Sequence, residues 1–143
     1  MATGTSMSSY LEDQLLNWLK GAAFAASPAT LYVALYTANP TDANASGTEV
    51  TGNAYARVAI TSATGWSAIV AAGAGTGDSI TNGGIVTFPT PTPAGWGTVT
   101  GFALYDASTL GNEIVWAALT ASKVINAGDA VTFPIAALAV FFD

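Results

Sequence analysis

The sequence predicts a mainly β protein: a single β-sandwich or jelly-roll-like domain with one N-terminal α-helix. Short segments of alternating apolar and polar residues recur along most of the 143 residues, separated by turns rich in Gly, Asn and Pro. One segment near the N-terminus instead has helical spacing. The length suits one domain with its own core, without an internal repeat. We expect residues 1–8 to form a flexible arm and 9–143 to form the domain.

The helix is predicted over 9–21. Ser9 and Glu12 have the S-x-x-E spacing of a capping box, and Gly21 is well placed to end the helix in the left-handed conformation. An apolar stripe follows at helical spacing, formed by Leu11, Leu15, Trp18 and Leu19. This stripe fits a lid over the domain's own core or a docking helix for a partner, and the two uses are compatible.

The remaining elements are strands joined by turns. Strands are predicted at 31–36, 54–62, 96–105, 113–119 and 130–142, the last as one or two strands around Pro134. A weaker strand pattern covers 66–72, and Asn82-Gly83-Gly84 is a hairpin signal between short strands in 78–88. The segment 96–105 has the strongest pattern, and we expect Val99, Phe102 and Leu104 to be buried. A long polar loop runs from 39 to 53.

The composition excludes the commonest forms of catalysis. The chain has no Cys and no His, so thiol nucleophiles, thiolate zinc sites and imidazole-based triads are impossible. Only 8% of the residues are charged and 51% are hydrophobic, whereas ordinary soluble domains have roughly 25% charged residues. Because charge is depleted at the centres of subunit interfaces, this surface suits burial against neighbouring subunits. We therefore expect a structural subunit of a larger assembly and not an enzyme.

Charge and hydropathy also bear on the partners. The net charge is −6, and the three cations, Lys20, Arg57 and Lys123, are scattered along the chain, which argues against nucleic acid. The longest apolar stretch, 130–142, is shorter than the roughly 20 residues of a spanning helix and is interrupted by Thr132 and Pro134. We therefore expect neither nucleic acid nor a membrane as a partner.

Few residues are left for a chemical site. A pair of carboxylates would be the remaining enzymatic option, but four of the acids occupy loop or turn positions, where Asp hydrogen-bonds its own backbone: Asp42, Asp78, Asp106 and Asp129. Asp42, Asn44 and Glu49 share one loop and offer a weak calcium alternative without EF-hand spacing. The run at 73–77 lacks the ending of a phosphate-binding loop. We expect no cofactor and no metal.

Two further residue types have alternative interpretations. Trp66 and Trp96 each follow a Gly, and with Trp116 they would be platforms for sugar rings if exposed; a place in the core or in a subunit interface is the simpler interpretation. Arg57 is the only Arg and lies within a predicted strand. Because a guanidinium binds carboxylates bidentately, we expect it to pair with an acid such as Glu49 or Asp106.

Seven segments, read in order, resemble a family of small phage virion proteins known as head-decoration or tail-fibre-like proteins. They are the capped helix 9–21, LYVALYTANPT at 31–41, GTEVTG at 47–52, YAR at 55–57, IVTFP at 85–89, WGTVT at 96–100 and FALYDA at 102–107. The resemblance covers most of the chain from residue 8 onward. The combination is more specific than any one segment alone.

The resemblance implies a non-enzymatic component of a bacteriophage virion. We expect a capsid decoration, or cement, protein that stabilises the head lattice, because the chain lacks the repeated shaft sequence of a fibre. The alternative is a tail-fibre or baseplate knob that binds a host glycan or receptor. The expected partners are the major capsid protein or other virion proteins and further copies of the chain, preferably as a homotrimer. The expected contact residues are Leu11, Leu15, Trp18, Asp42, Glu49 and Arg57.

Overall fold

A computed structural model describes residues 6–42, 46–71 and 77–142. Residues 1–5 of the predicted arm, Asn44 of the calcium alternative, most of the Gly-rich run at 73–77 and the last residue lie outside this part. The elements are β1 (Ser6–Met7), α1 (Ser9–Leu19), β2 (Thr30–Ala38), β3 (Thr48–Glu49), β4 (Val58–Thr61), β5 (Asp78–Thr81), β6 (Val86–Thr87), β7 (Gly97–Tyr105), β8 (Glu113–Ile125), β9 (Thr132–Phe133) and β10 (Ala139–Phe142). The predicted class is confirmed: mainly β with one N-terminal helix.

The strands with the clearest alternation form the centre of one antiparallel sheet. Its order is β1-β8-β7-β2-β3, and β4 also pairs with β2. In β2 and β7, Val33 lies opposite Leu104, and Leu35 lies opposite Phe102. All four of these side chains are buried on one face of the sheet. This face is therefore the floor of the main core.

Two small antiparallel ribbons cover that floor. β10 pairs with β5, and β9 pairs with β6. The core cluster joins side chains of β2, β7 and β8 to side chains from the ribbons and their flanks, including Val86, Phe88, Leu138 and Val140. The result is a two-layer β arrangement in which apolar burial between the layers is the main stabilising contribution.

Three strand predictions need correction. The second predicted strand begins only at Val58, because Asn53 and Ala54 have positive φ values and turn the chain. Residues 66–71 form only isolated bridges and no strand. The Asn82-Gly83-Gly84 signal does not make a hairpin, since the strands on either side of it pair with β10 and β9 instead of with each other.

The reason for the missing hairpin is the side chain of Asn82, which is buried. Its Nδ2 donates to the carbonyls of Gly84 and Pro134, at 2.7 and 2.8 Å, and its Oδ1 accepts from the Leu138 N–H at 2.9 Å. Asn82 therefore joins the β5–β6 turn to the segment between β9 and β10. A buried amide with this many partners gains more from these tertiary bonds than from a local turn.

The helix begins at Ser9, as predicted, but its N-cap lies one residue earlier than predicted. Ser8 is the N-cap: its hydroxyl accepts from the Leu11 N–H, and it also donates to the carbonyl of Glu113. The predicted Ser9 capping box is therefore wrong. The helix ends at Leu19, two residues before the predicted bound. The predicted role of Gly21 is confirmed, because it has a φ of +89° and its N–H binds the Trp18 carbonyl, as in a Schellman motif. Among the described residues, no helix is long and apolar enough to cross a membrane.

Candidate functional site

The polar groups converge on the face of the large sheet away from the main core. Alternation places Tyr32, Ala34 and Tyr36 of β2 on this face, beside Ala103 and Tyr105 of β7. Next to them lies a set of hydrogen-bonded side chains that we call the Arg57 cluster. It consists of Tyr36, Glu49, Tyr55, Arg57, Tyr105 and Glu113.

Arg57 is at the centre of this cluster. Its Nε and Nη2 donate to the two carboxylate oxygens of Glu49, both at 2.8 Å, and Nη1 donates to the carbonyls of Ala107 and Leu110. The predicted pairing with an acid is thus confirmed, with Glu49 as the partner. Among the described residues this is the only ion pair, and the Arg57 side chain is 8% exposed. Arg57 therefore joins the β3 segment to the turn between β7 and β8.

The hydroxyl groups extend the cluster into the core. Tyr55 donates to Glu49 Oε1 at 3.0 Å and accepts from the Leu35 N–H at 2.9 Å. The Tyr105 hydroxyl donates to Glu113 Oε2 at 3.0 Å and is hydrogen-bonded to the Tyr36 hydroxyl. The hydroxyl groups of Tyr55 and Tyr105 are each bonded to a distant part of the sequence, at Leu35 and Tyr36, so the cluster fixes the relative positions of several strands.

Burial determines how these groups ionise. Burial raises the pKa of Glu113 to about 6, although the hydrogen bonds from Tyr105 and Tyr36 act in the opposite direction. Burial also raises the pKa of Tyr105 to about 12 and raises the pKa values of Tyr36 and Tyr55 further. For Arg57, burial acts to lower the pKa, but the hydrogen bonds and charge of Glu49 outweigh it and raise the pKa.

A carboxyl group with a raised pKa near a second carboxylate has one property of an acid catalyst. Glu113, however, has no exposed surface, and Glu49 is engaged by Arg57 and Tyr55. The shallow cleft above them, about 330 Å³, is lined by Glu49 and Arg57 but not by Glu113. A substrate in that cleft would meet only one carboxylate of the pair. The geometry therefore supports a structural role for the Arg57 cluster.

The second candidate surface is the apolar side of the N-terminal helix. No residue of α1 is buried, and Leu11 and Leu15 of the predicted stripe are half-buried, with Leu11 packed against the core. Trp18 is 55% exposed, in contact with the ring of Phe24 at a centroid distance of 6.1 Å. Leu16 and Leu19 are also exposed. We call Leu16, Trp18, Leu19 and Phe24 the helix face.

An open cleft lies beside this face. It has a volume of about 480 Å³ and lies between the first half of α1, the segment 24–28 and the sheet. Its lining is mostly apolar and includes Leu11, Leu31 and Ile114, with Asp106 as its only charged residue. We call it the helix cleft.

The structure separates the predicted contact residues into three groups. Leu11, Leu15 and Trp18 lie on or under the helix, whereas Glu49 and Arg57 lie in the Arg57 cluster. Asp42 is exposed and approaches the helix start, where its carbonyl accepts from the N–H of Ser9 at 2.9 Å. Their role as contacts with other subunits stays a prediction.

The proposed sugar platforms lose part of their support. Trp96 is buried, with its indole N–H on the carbonyl of Asn53, and Trp66 and Trp116 are half-buried. Trp18, the exposed tryptophan, was assigned to the apolar stripe. Its exposure was missed because helical spacing shows which residues share a face and not what covers that face. In the described ranges no group of acids is arranged to hold a metal ion.

The comparisons with known proteins point in one direction. A family model described as "Podophage GP4 fiber I protein gp80" matches residues 6–141. No curated protein matches the chain.

Proposed function

We propose, from the premise that this chain belongs to the podophage GP4 fiber I protein gp80 family, that it is a fibre subunit attached to the particle through its N-terminal helix. The family match makes the chain a structural protein of a phage virion and places it in the virion. Attachment as a fibre component, in place of the capsid decoration first expected, is the assignment that the family description favours.

The observation that carries this proposal is the helix face. A helix that packs only against its own domain is apolar on one side, whereas α1 has Leu11 and Leu15 towards the domain and Leu16 and Leu19 exposed. Exposed apolar residues that lie close together mark protein contact sites. We infer that the helix packs between its own domain and another virion protein.

The proposal also includes assembly without catalysis. The acids that would form a catalytic pair are engaged in structural contacts: Glu49 with Arg57, Glu113 with Tyr105, and Asp106 with the backbone and side chain of Asn112. A second apolar cleft, of about 220 Å³, lies beside β5 and β10 and is lined in part by Ile69 and Phe142. It offers a second surface for contacts between copies of the chain. Two different apolar surfaces suit a closed ring of copies, such as the homotrimer expected from the sequence.

The position on the particle decides between the two assignments. Intact particles labelled with gold-conjugated antibody against this chain are expected to carry the label at the tail end. Label spread over the head lattice would contradict the fibre proposal and restore the cement interpretation. Analytical ultracentrifugation of the purified chain tests the trimer separately, and a monomer at the concentrations of assembly would contradict it.

A further inference from the structure

The helix cleft has walls that are already in place. Gln14 Oε1 accepts from the N–H of Ala25 at 3.1 Å, which joins the segment after the helix to α1 and closes one side of the cleft. Leu11, Leu31 and Ile114 form its floor and pack on the main core. A cleft of about 480 Å³ with an apolar floor has room for one or two large side chains.

The charged group in the cleft is fixed in position. Asp106 accepts from the N–H and from Nδ2 of Asn112, at 2.7 and 2.8 Å. Arg57 Nη1 donates hydrogen bonds to the carbonyls of Ala107 and Leu110 and so stabilises the turn that follows Asp106. Gly111 has a φ of +76°, and a Cβ there would collide with Asp106 Oδ1, so the turn leaves space for this carboxylate.

The carboxylate of Asp106 has no cationic partner among the described residues. A carboxylate offers about four lone-pair sites, and the two bonds from Asn112 leave capacity for a further donor. The chain can supply few cations itself, because it has only three Lys and Arg residues and Arg57 already pairs with Glu49. An apolar cleft with a fixed anion at its wall complements a side chain that is aliphatic along its length and cationic at its end.

We propose that the helix cleft binds a lysine or arginine side chain of another protein, its aliphatic part on Leu11, Leu31 and Ile114 and its cationic end on Asp106. The inference that the partner protein belongs to the virion rests on the function proposed above. The proposed binding chemistry is independent of that function, since it follows from the cleft and the carboxylate alone.

The test uses the purified full chain and two small probes of equal length and opposite charge. The methyl-labelled chain is titrated with n-hexylammonium or hexanoate at pH 7 and constant ionic strength, and the methyl resonances of Leu11, Leu31 and Ile114 are followed by NMR. We expect saturable shifts with n-hexylammonium and an affinity about fivefold higher than for hexanoate, which is the upper range for a solvent-accessible ion pair. Equal affinities, or shifts only at other residues, would overturn the proposal.

Two variants give the controls. Asp106→Asn is expected to bring the affinities for the two probes to the same value. Ala26→Trp, at an exposed position in the cleft wall, is expected to fill the cleft and abolish both sets of shifts with the fold retained. If Asp106→Asn unfolds the turn, the ratio in the unchanged chain and the Ala26→Trp variant still decide. Particle labelling on the head would contradict the fibre role and leave this binding result intact.

Discussion

The guanidinium of Arg57 lies over the ring of Tyr105, with its central carbon 3.6 Å from the ring centroid. The same guanidinium is held at its edge by both carboxylate oxygens of Glu49. Arg57 therefore combines a cation–π contact with a bidentate ion pair and two bonds to backbone carbonyls. Arg57 thus joins β3, β7 and the turn before β8, and its replacement should lower the stability of the fold.

Replacing Arg57 by Lys is expected to lower the free energy of unfolding by about 2 kcal/mol, in the range for losing hydrogen bonds to a charged group. A lysine keeps the charge but loses the fork, so it cannot bind Glu49 and the carbonyls of Ala107 and Leu110 at once. Urea unfolding monitored by circular dichroism measures the difference. Lys123→Met, at an exposed cation, is the control and should change stability by less than about 0.5 kcal/mol. Equal effects of the two changes would contradict the role given to Arg57.

The buried carboxyl group of Glu113 makes stability depend on pH in a defined direction. Its pKa is about 6 in the folded protein and 4.5 in the unfolded chain, so folding favours the protonated form. This contribution is complete below pH 4.5 and is lost as the pH rises through 6, and it amounts to about 2 kcal/mol.

The corresponding measurement compares the unchanged chain with Glu113→Gln at pH 4.5 and pH 7.5. A Gln side chain keeps an acceptor for Tyr105 without the ionisation. Other carboxylates contribute to both proteins, so the difference between the two isolates residue 113. We expect the variant to lose less stability than the unchanged chain between the two pH values. Identical pH profiles would refute the assignment.

Alanine substitutions at Ser8 and Ser9 test which of the two serines caps the helix. Ser8→Ala removes the acceptor for the Leu11 N–H and the buried bond to the Glu113 carbonyl. We expect it to lower the free energy of unfolding by about 1–2 kcal/mol, as for other N-caps. Ser9→Ala removes a bond from its hydroxyl to the Asp42 carbonyl at an exposed site and should cost less. A larger loss for Ser9→Ala would restore the capping box predicted from the sequence.

Substitutions in the helix face are expected to impair assembly into particles without impairing folding. Leu16 and Leu19 are 57% and 73% exposed, so changing both to Gln should leave the melting temperature within about 2 °C. The same change should strongly reduce incorporation into particles, because the apolar contact with the partner is lost. Phage made with a tagged copy and quantified by immunoblot of purified particles provides the measurement.

The matched control is Leu110→Gln, at an exposed leucine in a turn outside the helix. It should be incorporated normally. If the Leu16/Leu19 variant is incorporated as well as this control, the helix does not attach the chain to the particle.

Local patterns predicted the strands at the centre of this fold and those of its second layer, but not how the second-layer strands pair. Alternation in 31–36 and 96–105 identified β2 and β7, because each strand has one face on the core and the pattern is contained within the strand. It did not identify the partner of β5, since β10 lies some 60 residues later and Asn82 directs the chain by side-chain bonds that a dipeptide signal does not show. In the candidate site, chemistry alone predicted that Arg57 pairs with an acid such as Glu49 or Asp106, and the structure identifies Glu49 as the partner. Tyr36 and Tyr105 were not predicted as part of the site. Each directly follows a core residue, Leu35 or Leu104, so alternation along the strand already placed both tyrosines on the opposite face of the sheet.

The pairing of β5 with β10 and of β6 with β9 has a consequence for biosynthesis. A chain emerging from the ribosome completes the large sheet when β8 has been made, but the strands that cover its apolar floor are still incomplete. Until residues 132–142 emerge, Phe102 and Leu104 face solvent or a chaperone, because β5 and β6 have no partners. A host that synthesises many copies at once therefore meets a short, aggregation-prone interval for every chain, and nonsense mutations after β8 should give insoluble protein instead of a smaller folded one.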